Sequence, residues 1–282
     1  MVQHIQSKPR RPRSMTSAPL SHLPCPSPLA STCAVDLLGL PTRAMTFNTA
    51  LDLVTAWATR PQRRYISTAT VYTLMQARED RAVRSALLDA DVVVADGMPL
   101  VWMQQGAFPL AERIYGPDIL LQVAALTEHR PIRHLYWGST PDVTARMVAN
   151  LRARFPALSI AGWHSPPTQA LETRPLATTI DYINAQGAHI VWVGLGSPKQ
   201  DQWMRLYRHH LDAPLLIGVG AAFDFIAGTT PQAPRWMQSR GLEWLFRLMM
   251  EPRRLWKRYL LYNPKFIYTL ARMRWAGSRW EK

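Results

Sequence analysis

The sequence predicts an α/β protein with a Rossmann-like, mostly parallel sheet, flanking helices and a basic amphipathic helical appendage at the C-terminus. Three observations carry this. Short apolar runs, most compactly Val92-Val93-Val94, recur with room for a helix between them. Several of these runs open into glycine-bearing loops, as at Gly138-Ser139, Gly194-Leu195-Gly196-Ser197 and Gly218-Val219-Gly220. Beyond Gly241 the pattern changes to nine aromatic and ten basic residues, broken by Pro252 and Pro264.

The chain has 282 residues and is 48% apolar, enough for one large domain with appendages. Its net charge of +14 is unevenly placed: +4 lies in residues 1–34, +7 in 241–282 and only +3 in the 206 residues between. Both cysteines, Cys25 and Cys33, lie near the N-terminus, which excludes a disulfide framework or thiolate metal site in the body and fits a reducing compartment. No apolar run reaches the ~18–20 residues of a membrane-spanning helix; the longest candidate, 214–228, contains Asp224 and several glycines. The basic N-terminus carries prolines where a signal peptide needs an apolar stretch. A cytoplasmic protein, peripheral on a membrane, is the expectation.

Residues 1–34, rich in Pro, Ser and Arg, read as a disordered tail, and Met1, Met15 and Met45 are all admissible starts. Order is expected from Val35, with a short strand and turn over 35–41 and a helix over 46–58. A strand over 64–67 enters the loop Thr68-Ala69-Thr70, and helices over 71–77 and 80–89 lead to the valine strand. That strand ends at Asp96-Gly97, and Pro99 suits the first turn of a new helix. Helices over 117–128, 142–154 and 175–186 alternate with strands over 134–137, 158–163 and 189–193. A helix from Lys199 and a strand over 215–219 complete an α/β domain of residues 35–240. Right-handed crossovers then place the glycine loops on one edge.

Three short helices are expected over 241–282. An apolar stripe of Trp244, Leu245, Leu248, Met249, Leu255, Trp256, Tyr259 and Leu260 faces away from Glu243, Arg247, Glu251, Arg254 and Arg258. Such a region suits an anionic membrane surface, and equally suits packing on the α/β domain.

Asp96 falls at a strand carboxyl end, where open α/β sheets keep their crevices, although Asp-Gly is also an ordinary turn pair. Each glycine loop allows backbone N–H groups to approach a phosphate, but none is a complete dinucleotide or P-loop motif. Asp89-Ala90-Asp91 precedes the valine strand and falls at the far edge, which argues against a metal site there. Lys199-Gln200-Asp201 opens a helix: Asp201 suits a first-turn acid, and Gln200 has donors and an acceptor for sugar hydroxyls or uracil. Asp118 reads as a cap as readily as a catalyst.

Together, Ala95–Pro99, Glu112–Asp118, Trp137–Ser139, Val193–Gln200, Gly218–Asp224, Ala233–Trp236 and Gly241–Arg247 resemble the WecG/TagA/CpsF family, glycosyltransferase family 26. The resemblance runs from about Val35 to Pro264. It implies inverting, metal-independent transfer of a hexosyl or N-acetylhexosaminyl group from a UDP-sugar to a polyprenyl-pyrophosphate-linked sugar in cell-surface or exopolysaccharide synthesis, with no cofactor. It makes Asp96 the general base and Gln200 a catalytic or substrate-binding residue. It sets Arg247, Arg254 and Lys257 over the donor pyrophosphate. The matching loops add Thr68, Arg113, Gly138, Ser139, Gly194, Gly196, Lys199 and Asp224 as candidate substrate-binding positions. Expected partners are the UDP-sugar donor, the lipid-linked acceptor and an anionic membrane, with a homo-oligomer allowed. The family often has Thr-x-Asn where this chain has Thr68-Ala69-Thr70, which bears on donor-sugar identity, and Lys-Gln-Glu in place of Lys199-Gln200-Asp201.

A nucleic-acid-binding protein with basic tails is the alternative. The nearly neutral middle offers it no basic face, and nucleic acid is not expected as a partner. A nicotinamide-dependent oxidoreductase lacks its dinucleotide fingerprint here.

Overall fold

The structure is a computed structural model that describes residues 28–167 and 173–275. A single 3-10 turn, Pro28–Ser31, leads into an antiparallel hairpin of β1 (Cys33–Asp36) and β2 (Pro41–Ala44). Regular structure thus begins ahead of Val35, because Leu29 packs on the core and Cys33 pairs across the hairpin with Ala44. The rest of the expected tail, residues 1–27, lies outside the described residues.

Thr46 caps α1 (Phe47–Ala58) by accepting from Thr49 N. Next come β3 (Arg64–Ala69), α2 (Val71–Glu79), α3 (Arg81–Leu88), β4 (Val92–Ala95) and α4 (Met98–Gln105). The chain continues through α5 (Gly116–Thr127), β5 (His134–Gly138), α6 (Pro141–Arg154), β6 (Ile160–His164) and α7 (Ala177–Ala185). The last strands, β7 (Ile190–Gly194) and β8 (Leu215–Gly218), flank α8 (Lys199–Tyr207), and α9 (Ala222–Ala227) and α10 (Arg235–Ser239) follow.

Six strands pair in the order β4-β3-β8-β7-β5-β6, every pairing parallel. The chain lays down β3 and β4 at one edge, crosses to β5 and β6 at the other, and returns through β7 and β8 to the centre. All carboxyl ends therefore share one edge, with the reversal of direction beside β3 and β8.

The strands are buried on both faces, and alternate residues serve different layers. Val92, Val94, Tyr136 and Trp192 pack with α1, α5, α6 and α9. Val93 and Ala95 pack with α2, α3, α4 and the hairpin. Leu135, Val191 and Val193 face α7 and α8.

The appendage comprises α11 (Glu243–Met250), α12 (Pro252–Trp256), a π-helical turn (Lys257–Leu261) and α13 (Tyr262–Trp275). The expected break at Pro264 is absent; the proline lies in the first turn of α13. In an unbroken α-helix its ring would meet the Leu260 carbonyl, and the wider π turn just upstream absorbs that mismatch. The apolar stripe is divided between buried and exposed residues. Leu255 and Tyr259 are buried, whereas Leu245, Met249, Trp256 and Leu260 are exposed. Phe266 joins the core of the hairpin, α2 and α3, Tyr262 stacks edge-on against Tyr72 at 5.0 Å, and Lys265 pairs with Glu79 at 2.7 Å. The appendage enters at Gly241, whose φ of +69° and contact with α4 exclude a side chain: a Cβ there falls 2.8 Å from the Trp102 ring. Among the described residues no helix is long and apolar enough to cross a membrane.

Candidate active site

The parallel register of β3 and β4 sets Ala95 beside Ala69, and Asp96 N donates to Ala69 O at 2.9 Å. Asp96 is thereby delivered to the edge where the chain turns into α4. Its Oδ1 lies 3.1 Å from an Arg113 terminal nitrogen, and Arg113 Nε donates to the Asp96 backbone carbonyl. The same Arg113 nitrogen lies 2.7 Å from Glu243 of α11, and Tyr115 OH donates to Glu243 at 3.1 Å. Arg113 also stacks over the Tyr115 ring at 3.9 Å. A residue of the appendage therefore shares the cation that holds Asp96. Burial pushes the Asp96 carboxyl above its ordinary range; Arg113 and Arg247 oppose this, and Glu243 reinforces it.

The glycine loops meet beside this carboxylate. A Cβ at Gly138 would lie 2.5 Å from the Gly194 carbonyl carbon, so only glycine lets β5 and β7 end this close together. Ser139, in the left-handed region at φ +53°, donates from its N–H to Gly194 O at 3.0 Å. Gln200 is fully buried: its Nε2 donates to Ser197 Oγ at 3.0 Å and its Oε1 accepts from Gly220 N at 2.8 Å. It ties the β7 loop to the β8 loop. Thr68 Oγ1 donates to Gly218 O at 2.8 Å, and so holds β3 to β8.

Asp201 is the first-turn acid of α8, as expected. It is fully buried beneath the loops, accepts from Ser67 Oγ, and its burial raises its pKa to about 6 against the hydrogen bonds from Ser67 and Ser197. Thr70 caps α2 and accepts from Arg258 at 3.3 Å.

Thr68, Asp96, Ser139, Gly194, Gly196, Lys199, Gln200, Asp224, Arg247, Arg254 and Lys257 all line one cleft of about 520 Å³. Arg113 and Gly138 stand just behind it, supporting Asp96 and the β5–β7 junction. Asp224, in the first turn of α9, is raised above its ordinary pKa by burial, with Arg254 opposing. Arg254 pairs with Glu251, and Arg247 stands 4.0 Å from the same carboxylate. The Nε atoms of Arg247 and Arg258 are buried without hydrogen-bond partners.

Sequence reasoning placed Glu243 and Arg258 on one face of the appendage helices and gave neither a place in the site. Helical spacing identified their shared face but carried no sign that it turns inward onto Arg113 and Thr70. Tyr72 and Tyr115, which also line the cleft, were missed entirely. Asp89 and Asp91 lie at the opposite end of β4, as expected: Asp91 accepts from Tyr65 N at 3.0 Å and faces Arg208, while Asp89 pairs with Arg205. Among the described residues no group of three or more His, Cys, Asp or Glu side chains is placed to hold a metal ion.

The arrangement sets a carboxylate with raised pKa beside glycine-bearing loops and a cluster of cations from the appendage. The sequence is 30% identical over 208 residues to the N-acetylglucosaminyldiphosphoundecaprenol N-acetyl-beta-D-mannosaminyltransferase of Bacillus subtilis strain 168, covering 73% of this chain and 78% of that protein. A protein of the same name from Bacillus spizizenii is 27% identical over 228 residues, covering 80% and 86%. The family model described as Glycosyl transferase WecG/TagA/CpsF family matches residues 35–279, reaching through the appendage as well as the sheet. The chain belongs to the WecG/TagA/CpsF family of glycosyltransferases.

Proposed function

We propose that this protein transfers a sugar from a UDP-sugar to a saccharide carried on polyprenyl diphosphate, with inversion and without a metal, at the inner face of the membrane. The observation that carries this is Asp96 standing in one cleft with the glycine-bearing strand ends and with Arg247, Arg254 and Lys257. The names of the two Bacillus relatives support N-acetylglucosaminyl diphosphoundecaprenol as the acceptor class and N-acetylmannosamine as the first donor sugar to test.

In this reading the Asp96 carboxylate takes the proton of the acceptor hydroxyl as its oxygen attacks the anomeric carbon. The bond from that carbon to the UDP oxygen breaks, and UDP leaves with the electron pair. A raised pKa makes Asp96 a stronger base near neutral pH. Charge growing on the diphosphate is met by the three appendage cations and by loop N–H groups, fixed before the reaction begins. Gln200 and Thr68, whose polar atoms bond neighbouring loops, act as positioning residues.

The test is Asp96→Asn assayed with a panel of UDP-sugars and a lipid-diphosphate-linked N-acetylglucosamine. Transfer should fall by at least about 10²-fold, the scale of a lost general base, while UDP affinity stays within about twofold. An Asn variant that turns over normally would remove Asp96 as the base.

A further inference from the structure

Asp96 forms part of a wall shared by two cavities. On one side lies the polar cleft just described. On the other, a groove of about 580 Å³ runs between α4 and α13, lined by Met98, Trp102, Met103, Trp244, Phe266 and Leu270. That volume lies within the roughly 300–1,000 Å³ of small-ligand sites, and the lining is overwhelmingly apolar. Trp102 and Ile267 at its rim are 49% and 65% exposed. Large apolar side chains left uncovered beside a polar reaction centre mark a surface meant to be covered.

Arg247 and Arg258 line both cavities, but Arg247 stands 4.0 Å from Glu251 whereas Arg258 has no such neighbour among the described residues. Arg258 reaches Thr70 at 3.3 Å, lies 4.7 Å from the Tyr72 ring, and makes no ion pair among the described residues. Its Nε is buried and unpartnered. A desolvated guanidinium with an unspent donor and no carboxylate within ion-pair distance calls for an anion. The sequence of chemistry along this path is therefore carboxylate, cation, apolar groove.

We propose that the α4–α13 groove seats the first isoprene units of the polyprenyl diphosphate acceptor, with Arg258 holding the acceptor's own diphosphate at the groove's inner end. The assignment rests on the acceptor class proposed above. The acceptor sugar lies between its reacting hydroxyl and its diphosphate, so a hydroxyl at Asp96 puts that diphosphate one sugar away. Its lipid must then leave by a route that does not cross the UDP site. Of the two cavities at Asp96 only this groove is apolar. Arg254 and Lys257, which line the polar cleft and not the groove, remain for the donor diphosphate, with Arg247 between the two anions.

The test uses the full chain without vesicles, so that membrane attraction does not contribute. Two soluble acceptors are compared: N-acetylglucosaminyl diphosphate esterified to farnesyl and to methyl. The farnesyl acceptor should have a KM lower by about tenfold or more, the scale expected for burying a few methylenes. In Ile267→Glu, an exposed position that folding tolerates, and in Met103→Lys, this ratio should collapse to about one. Arg258→Gln should raise the KM of both acceptors while the KM of the donor stays put. Equal KM values in the wild type, or a farnesyl advantage that survives Ile267→Glu, overturn the groove and leave the transferase reading standing. If neither acceptor is a substrate, the groove is read directly with benzophenone-bearing farnesyl diphosphate and peptide mapping. Crosslinks within 98–103 and 262–270, competed by farnesyl diphosphate, support the groove even where the transferase reading fails; crosslinks elsewhere overturn it. Dimerisation that Ile267→Glu abolishes, with no farnesyl advantage, assigns the groove to a second copy and also overturns it.

Discussion

At Asp96 opposing fields meet on one carboxylate. Burial favours the neutral acid, Arg113 and Arg247 favour the charged base, and Glu243 draws Arg113 toward itself. Tyr72 and Tyr115 complete the surroundings, with Arg258 beyond. Removing the Glu243 charge gives Arg113 wholly to Asp96 and lowers its pKa. With Asp96 as the proposed base the rate should rise with pH as it loses its proton, so in Glu243→Gln the acid limb of kcat/KM against pH should move to lower pH. The weaker base should also cost about three- to tenfold on the plateau. A limb that stays in place would show that Glu243 serves only to anchor α11. Asp201 has the opposite significance. Its pKa rises from 3.8 to about 6, so it stabilises the fold when protonated, and that contribution is lost as pH rises through about 6. Asp201→Asn keeps the acceptor for Ser67 without the charge. Melting measured at pH 5 and pH 8 should show the variant gaining on wild type at the higher pH by roughly 1 kcal/mol, because more than half of the shift of about two pH units is already spent by pH 5.

At the scale of elements, the site depends on loops held to one another and on a docked appendage. Gln200→Ala removes both bonds between the β7 and β8 loops and leaves the Gly220 N–H without its partner. A buried donor so orphaned costs about 1–3 kcal/mol, so UDP affinity should fall by about tenfold with the fold intact. Phe266→Ala empties the main contact of α13 with the α2 and hairpin core, a loss of about 3–5 kcal/mol for a buried phenylalanine. Hydrogen exchange should then accelerate across 243–275 and leave the sheet unchanged, with turnover falling in parallel. The sheet was legible because its strands alternate: Val92 and Val94 face one layer, Val93 another, and the glycines fall where strands end. The Asp96 cleft was legible for the same reason, since parallel strands bring their carboxyl ends to one edge. Side chains that join distant elements were not. Glu243 meets Arg113 across 130 residues and Gln200 meets Gly220 by tertiary contact, and no local period encodes either. The π turn was invisible too, because a proline specifies a mismatch but not where the helix absorbs it.

Across the whole molecule, charge and apolar exposure coincide on the appendage. Residues 241–282 hold +7 of the +14 net charge, and Leu245, Met249, Met250, Trp256, Leu260 and Leu261 are exposed among them. Leu255, Tyr259 and Phe266 of the same segment are buried, and Phe266 joins the core of the hairpin, α2 and α3. One segment thus presents an inner face that completes the cleft and an outer face fit for an anionic bilayer. Each Lys or Arg near such a surface contributes about 1 kcal/mol, weakening with salt, and each buried methylene about 0.8 kcal/mol, which does not. The two contributions are therefore separable. Binding to vesicles with about 30% anionic lipid should weaken steeply with salt and should nearly vanish on neutral vesicles, where the basic residues find no counter-charge. Trp256→Ser with Leu260→Ser should reduce binding at every salt concentration by a similar factor, because it removes only the apolar part. Deleting 241–282 should abolish both. The cleft would then lose Arg247, Arg254, Lys257 and Arg258 together, so turnover on a soluble acceptor should fall as well. A deletion variant that still binds anionic vesicles as tightly as the full chain would place membrane attachment elsewhere and leave the appendage as a lid alone.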